Sequence, residues 1–307
     1  MNGSRLKQIL SSGKFAVTAE CGPPRGANTE VVRKKASFLK DCADAVNVTD
    51  NQTAIVRMSS LAACAHLMQM GIEPVLQMVT RDRNRIALQS DIMGAYSLGI
   101  RNILCLTGDH QTFGSQPDAL NVFDIDSMNL LHAVRTMREV GTDMSGYKLD
   151  VAPRMFIGAA ANPFADPFEY RVIRLAKKIA AGAEFIQTQC IYDMKRFKEW
   201  IKMAREQGLT EKVHILAGVT PLKSAGMAKY MAAKVPGMIV PEFLIKRMEG
   251  VPKEKAAEEG MKICLETIQE VRQIPEIHGV HIMAIEWEEK VQEIVKAAGL
   301  FPRPQPV

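Results

Sequence analysis

Two carboxylates stand where apolar runs of this sequence stop: Glu20, after Phe15-Ala16-Val17-Thr18-Ala19, and Asp109, after Leu104-Cys105-Leu106-Thr107-Gly108. A pair of carboxylates at one rim can divide labour, one donating a proton and the other stabilising charge. Other apolar runs end the same way, in Thr49 and Asp50, Gln77, Asn162, Gln189, Thr220 and Glu286. Each has an ordinary explanation alone, since strands end in polar residues and Gly-Asp is a common turn pair. Their recurrence at successive strand ends is what points to one site. Gly108 adds a backbone position that a planar ligand can approach closely.

Several chemistries lose support. The chain lacks the glycine-rich phosphate loops, the G-x-S-x-G nucleophile turn and the H-E-x-x-H zinc motif. Cys21, Cys42, Cys64, Cys105, Cys190 and Cys264 form no C-x-x-C pair, so isolated buried thiols are expected and no metal or cluster site. His66 and His132 lie in helical patterns and His214 and His281 in strand patterns, which favours packing; His110, beside Asp109, is the exception. The methionines, including Met68, Met70 and Met78, suit core filling. Lys177 and Lys178, late in a helical pattern, read alone as a solvated face.

The elements that must position these residues recur as a unit: a short β-branched or apolar run, a loop, then an amphipathic helix closed by glycine. Strands are predicted at 15–20, 45–49, 74–79, 102–107, 154–160, 184–189, 213–219 and 280–285. Gly71, Gly99, Gly182 and Gly279 each precede a strand, as a helix-ending glycine in the left-handed conformation would. Eight alternations predict an α/β fold, a (β/α)8 TIM barrel over 1–307 as a single domain, whose active site forms at the C-terminal strand ends. The loop 109–126 and the stretch 234–273 break the regularity. The latter, with Pro236, Pro241 and Pro252, reads as an insertion between strands 7 and 8.

At 307 residues, 47% apolar and 24% charged, the chain has ordinary globular composition. No apolar run approaches the about 18 residues that span a bilayer, and residues 15–20 are too short and polar for a signal peptide, so the expected compartment is the cytoplasm. The net charge of +5 is modest and interleaved with acidic residues, which does not point to nucleic acid.

The order of Thr18-Ala19-Glu20-Cys21-Gly22-Pro23-Pro24, Val46-Asn47-Val48-Thr49-Asp50, Leu106-Thr107-Gly108-Asp109, Gly182 to Gln189 and Ala217-Gly218-Val219-Thr220-Pro221 resembles the catalytic barrel of the methylenetetrahydrofolate reductases, over nearly the whole chain. The resemblance implies a flavin across the barrel mouth, FAD with FMN as the alternative, and a folate stacked on it. Glu20 would protonate the folate nitrogen, Asp109 would lie beside flavin and pterin, and Gln189 would contact the folate. Thr49, Gln77, Thr107, Gly108, Phe123, Asp124 and Asn162 fall at flavin-contacting positions, and Lys178 with Lys177 where the family binds flavin phosphate.

There are departures. Gln77 stands where some members have histidine, and Met227 and Met231 where some have glutamine and phenylalanine. The donor implied is thus NAD(P)H or a redox partner subunit, any iron–sulfur relay sitting on that partner. An oligomer is expected, and no C-terminal regulatory domain. Two rival expectations remain: a flavin-free pterin-binding barrel resembling a methyltransferase, and a folate-binding subunit whose partner performs the chemistry.

Overall fold

The computed structural model describes residues 3–235 and 237–305. Eight parallel strands close in chain order: β1 Ala16–Cys21, β2 Ala45–Val48, β3 Pro74–Val79, β4 Asn102–Leu106, β5 Phe156–Ala161, β6 Phe185–Cys190, β7 His214–Val219 and β8 Ile277–Ile282. The ring is sealed where β8 pairs with β1, Thr18 opposite His281. Helices α1 Arg5–Ser11, α2 Thr29–Leu39, α3 Ser60–Gln69, α4 Arg85–Ser97, α5 Ser127–Glu139, α6 Tyr170–Ala181 and α7 Met194–Glu206 come with the first six strands. After β7 come α8 Ala225–Lys234, α9 Glu242–Glu249 and α10 Ala256–Val271, and after β8 comes α11 Val291–Ala297. The predicted barrel is the observed one. Among the described residues no helix is long and apolar enough to cross a membrane.

Local chemistry starts the helices where the sequence changes character. The side chains of Asn28, Ser59, Asn84, Asp126, Asp193 and Ser224 each accept a hydrogen bond from a first-turn backbone N–H, satisfying donors that the helix cannot. Strands β2 and β3 are buried along their whole length, as expected when helices cover one face and the barrel interior the other. All six cysteines are buried single thiols.

Gly71, Gly99 and Gly182 have φ of 72°, 93° and 124° and end helices as expected. Gly279 does not: β8 begins at Ile277, three residues before the predicted 280, so this glycine lies within the strand. Its role is spatial, since a Cβ there would stand 2.5 Å from the Ala16 carbonyl oxygen across the β8–β1 seam.

The N-terminal end of the barrel is closed twice. Helix α1 inserts Leu6, Ile9 and Leu10 among Ala16, Ala45, Val75, Leu104 and Phe156, held by Glu73, whose carboxylate accepts from the backbone N–H groups of Arg5 and Leu6 at 2.7 and 3.0 Å. Beside it Arg303 reaches Asp44 at 2.5 and 3.1 Å and the Phe15 carbonyl at 2.7 Å, both charged side chains being almost fully buried. Breaking such a pair strands a buried charge, which costs about 3–5 kcal/mol.

Inside, Phe156 and Phe185 stack with centroids 4.8 Å apart. The space they occupy exists because position 158 is glycine: a Cβ there would lie 2.2 Å from Phe185 Cζ and 2.5 Å from its neighbours in the ring. Gly158→Ala is therefore expected to destabilise the fold by about 1–3 kcal/mol, read as a lowered denaturation midpoint, with Phe185→Leu recovering part of the loss. An unchanged midpoint for Gly158→Ala would show that Phe185 has room to move.

Candidate active site

Above the aromatic layer the interior turns polar, and at the C-terminal strand ends it opens into a cavity of about 420 Å3, in the size range of small-molecule sites. Strand alternation delivers its lining: Glu20 from β1, Gln77 from β3, Leu104 and Leu106 from β4, Ala160 from β5, Gln187 and Gln189 from β6, His281 from β8. Glu20 is the carboxylate of this wall, its side chain 13% exposed. One of its oxygens, Oε2, lies 3.5 Å from Gln77 Nε2 and 3.9 Å from His281 Nε2.

Across the barrel from Glu20 stands a cationic wall. Helix α6 carries Arg171, Arg174 and Lys178 at spacings of three and four residues, so all three share a helical face and line the cavity. Lys178 donates to the Ala160 carbonyl. Burial, then the neighbouring Arg174, pull its pKa down to about 8, because a desolvated ammonium beside a guanidinium is costly to keep charged.

The remaining expected residues divide. Asn162 lines the cavity and anchors it, donating from Nδ2 to the Gly237 carbonyl at 2.9 Å and accepting from the Phe164 N–H at 2.9 Å. Gln189 lines it too, its Oε1 accepting from the Cys190 N–H at 3.0 Å, which leaves the amide donors for a ligand. Thr49 is buried at the end of β2 with a hydroxyl lacking any protein partner, a polar atom that a ligand would satisfy. Thr107 accepts from the Ser127 N–H at 3.2 Å, and Gly108 turns with φ of 91° under Val79 and Arg81.

Asp109 shares this end of the barrel with Glu20 but is exposed and does not line the cavity; its backbone carbonyl accepts from Arg81 at 3.0 Å. Phe123 and Asp124 also stand outside it. Phe123 sits at φ of 39°, and both Asp124 oxygens are engaged by Arg85 at 2.8 and 2.9 Å, which holds its pKa down to about 2. Lys177 is exposed, its ammonium 5.9 Å from the Tyr170 ring centre, so only Lys178 of that pair faces inward. Asp50 is tied to the Val79 N–H and to Arg83, Thr220 to Cys190 Sγ at 2.8 Å, and Glu286, exposed four residues past β8, to Lys35. His110 is exposed and holds Thr112 in the turn that follows.

Sequence reading missed Arg171, Arg174, Gln187 and His281. The two arginines were findable, because Arg171, Arg174 and Lys178 repeat at helical spacing. His281 was not, since an inward histidine in a strand looks the same in sequence whether it faces a core or a cavity.

A family model for methylenetetrahydrofolate reductase matches residues 5–299. A probable methylenetetrahydrofolate reductase (NADPH) of Caenorhabditis elegans is 24% identical over 97% of this chain and 44% of its own length. Methylenetetrahydrofolate reductase 2 of Schizosaccharomyces pombe is 24% identical over 79% of this chain and 36% of its own. The chain thus spans less than half the length of these curated relatives. Among solved structures, a Clostridium thermocellum protein described as binding two copies of 5-methyl-5,6,7,8-tetrahydrofolic acid superposes with a TM-score of 0.64 at 16% identity, over 96% of this chain and 98% of that one. At that identity the likeness speaks for the fold alone. The family match, running from α1 to beyond α11, says more, and by it the chain belongs to the methylenetetrahydrofolate reductase family.

Proposed function

We propose that this barrel reduces 5,10-methylenetetrahydrofolate to 5-methyltetrahydrofolate, with a bound flavin as the redox group. The observation that carries the reading is one cavity with a carboxylic acid, Glu20, on one side and three cations, Arg171, Arg174 and Lys178, on the other. The family match supports the substrate class, and the Clostridium thermocellum protein that shares the fold is itself described as binding a folate.

The residues present fit a flavin. Three cations on one helix face suit a diphosphate better than a single phosphate, which favours FAD over FMN. The unpartnered Thr49 hydroxyl, Gln77 and Asn162 would meet polar ring edges, while Gly108, packed under Val79 and Arg81 with φ of 91°, would shape the turn beside the ring. When bound, the flavin supplies the hydride. Asp109, exposed at the rim, would lie beside the pterin.

The chain's own part is proton chemistry and placement. Glu20 gives its proton to a bridge nitrogen of the folate. The bond from that nitrogen to the methylene carbon then breaks, its electron pair leaving with the nitrogen and the carbon remaining as an iminium on the other nitrogen. That cation is the species able to accept hydride. Gln189, with its amide donors free, fixes the pterin edge, while Leu104, Leu106 and Met283 supply apolar lining that limits competing water. Electrons come from NAD(P)H or a partner subunit. Met231, where some relatives carry phenylalanine, is buried with its sulfur 3.9 Å from the Tyr192 hydroxyl; a methionine has no aromatic face of its own to offer a nicotinamide, which favours the partner.

Glu20→Gln is expected to retain flavin and to be reduced by dithionite as the wild type is, while its reoxidation by methylenetetrahydrofolate slows by about 10²–10⁴-fold. Normal reoxidation would remove Glu20 from the reaction. Protein that is colourless and takes up no added flavin would favour the methyltransferase-like or scaffold readings. Lys178 supplies a second check. With its pKa depressed to about 8, the ammonium is charged below that value and loses its attraction for phosphate as pH rises through it. FAD affinity, followed by fluorescence quenching, should weaken above about pH 8, and Lys178→Met should be weaker at pH 7 and flat across the window. A wild-type affinity constant from pH 7 to 9.5 would contradict the assignment.

A further inference from the structure

At the base of the cavity, where Gln187 and His281 join its lining, four buried polar side chains from four strands form one chain of hydrogen bonds. Thr18, Asn47, Gln187 and His281 are each at most 3% exposed. Asn47 and Gln187 pair reciprocally: Asn47 Nδ2 donates to Gln187 Oε1 at 2.6 Å, and Gln187 Nε2 donates to Asn47 Oδ1 at 3.0 Å. The second N–H of Gln187 goes to Thr18 Oγ1 at 3.1 Å. A primary amide has two N–H bonds, and both are now used.

Thr18, already accepting, has one hydroxyl proton to give; its two acceptors are His281 Nδ1 at 2.9 Å and the Val280 carbonyl at 3.5 Å. A hydroxyl can also accept twice, so Thr18 alone fits either tautomer; Gln187 Nε2, which can only donate, faces Nδ1 at 3.4 Å as well, and that suits an Nδ1 that accepts and an imidazole proton on Nε2. Nε2 is the nitrogen that faces Glu20, 3.9 Å from Oε2. Gln77 Nε2 approaches the same oxygen at 3.5 Å. Two donors thus converge on Oε2, which suits the carbonyl oxygen of a carboxylic acid and leaves Oε1 to bear the proton.

We propose that Asn47, Gln187, Thr18 and His281 form a positioning relay that locks His281 in its Nε2–H tautomer and thereby directs the Glu20 proton to Oε1, towards the folate. The proposal rests on the reading of Glu20 as the proton donor. None of the four touches substrate in this scheme; they act through Glu20. The 3.9 Å gap exceeds a hydrogen bond, and in the loaded site it closes to one, as catalytic contacts commonly do.

The two amide replacements of His281 separate orientation from packing. Asparagine sets its amide near the place of Nδ1 and keeps Thr18 and Gln187 partnered, while glutamine reaches the place of Nε2 and faces Glu20. With dithionite-reduced, flavin-loaded protein mixed with methylenetetrahydrofolate, His281→Asn should slow reoxidation about 10- to 100-fold and His281→Gln should recover most of that loss. Thr18→Val, which removes the lock, should fall between them. Folate affinity should stay within a small factor throughout. Nitrogen-15 NMR of histidine-labelled wild type should show the His281 proton on Nε2. A proton on Nδ1, or His281→Asn turning over as fast as His281→Gln, would overturn the relay. Measuring Glu20→Gln alongside separates the two failures: an active Glu20→Gln rejects the proton donor itself, whereas an inactive Glu20→Gln with an active His281→Asn rejects only the relay.

Discussion

An eight-stranded barrel encloses little more than the volume of its own inward side chains, and this constraint orders the structure from bottom to top. Phe156 and Phe185 fill the lower layer in the room left by Gly158. With that volume spent on aromatic rings, the middle layer is closed by smaller polar groups, Thr18, Asn47 and Gln187, which bond to one another. Only above them does the interior widen enough to admit a ligand. The cavity therefore has a rigid, hydrogen-bonded floor, and Glu20 stands on its edge.

Charge is arranged by the same geometry. Strands β1 and β5 are opposite one another in a ring of eight, so an acid ending β1 and cations on the helix after β5 face each other across the mouth. Other buried charges are paired: Arg303 with Asp44 at the closed end, and Arg83 with Asp50. Burial pushes the Asp50 carboxyl above its usual range, with Arg83 and the Val79 N–H pulling against that rise. Such paired groups hold the frame, while Glu20 and the cations of α6 face the cavity.

The repeat of apolar run, loop and glycine-ended helix was legible because helix ends such as Gly71 and Gly99 need φ > 0 whatever the tertiary context. Strand 8 was read late because Gly279 resembles such a terminator, yet it serves the seam with β1. Helix α1 was not read at all: it is only seven residues long, and what holds it is Glu73, far along the chain. Of the site, Glu20, Gln77, Asn162, Gln189 and Lys178 were identified from strand ends and resemblance, and the cavity gathers them. Asp124 and Lys177 stand outside it for reasons invisible in sequence, since Arg85, an ion-pair partner 39 residues away, holds the first and helix phase turns the second outward. His281 and Gln187 escaped notice because polar residues in mid-strand acquire meaning only when four strands are brought together.

The glycine at 158 carries one more implication. Because its missing side chain is the space that Phe185 fills, neither position is free to drift by itself across generations. Any descendant that enlarges one must shrink the other, so the heritable unit at this level of the barrel is the pair, and the two sites should travel together through the divergence of the lineage.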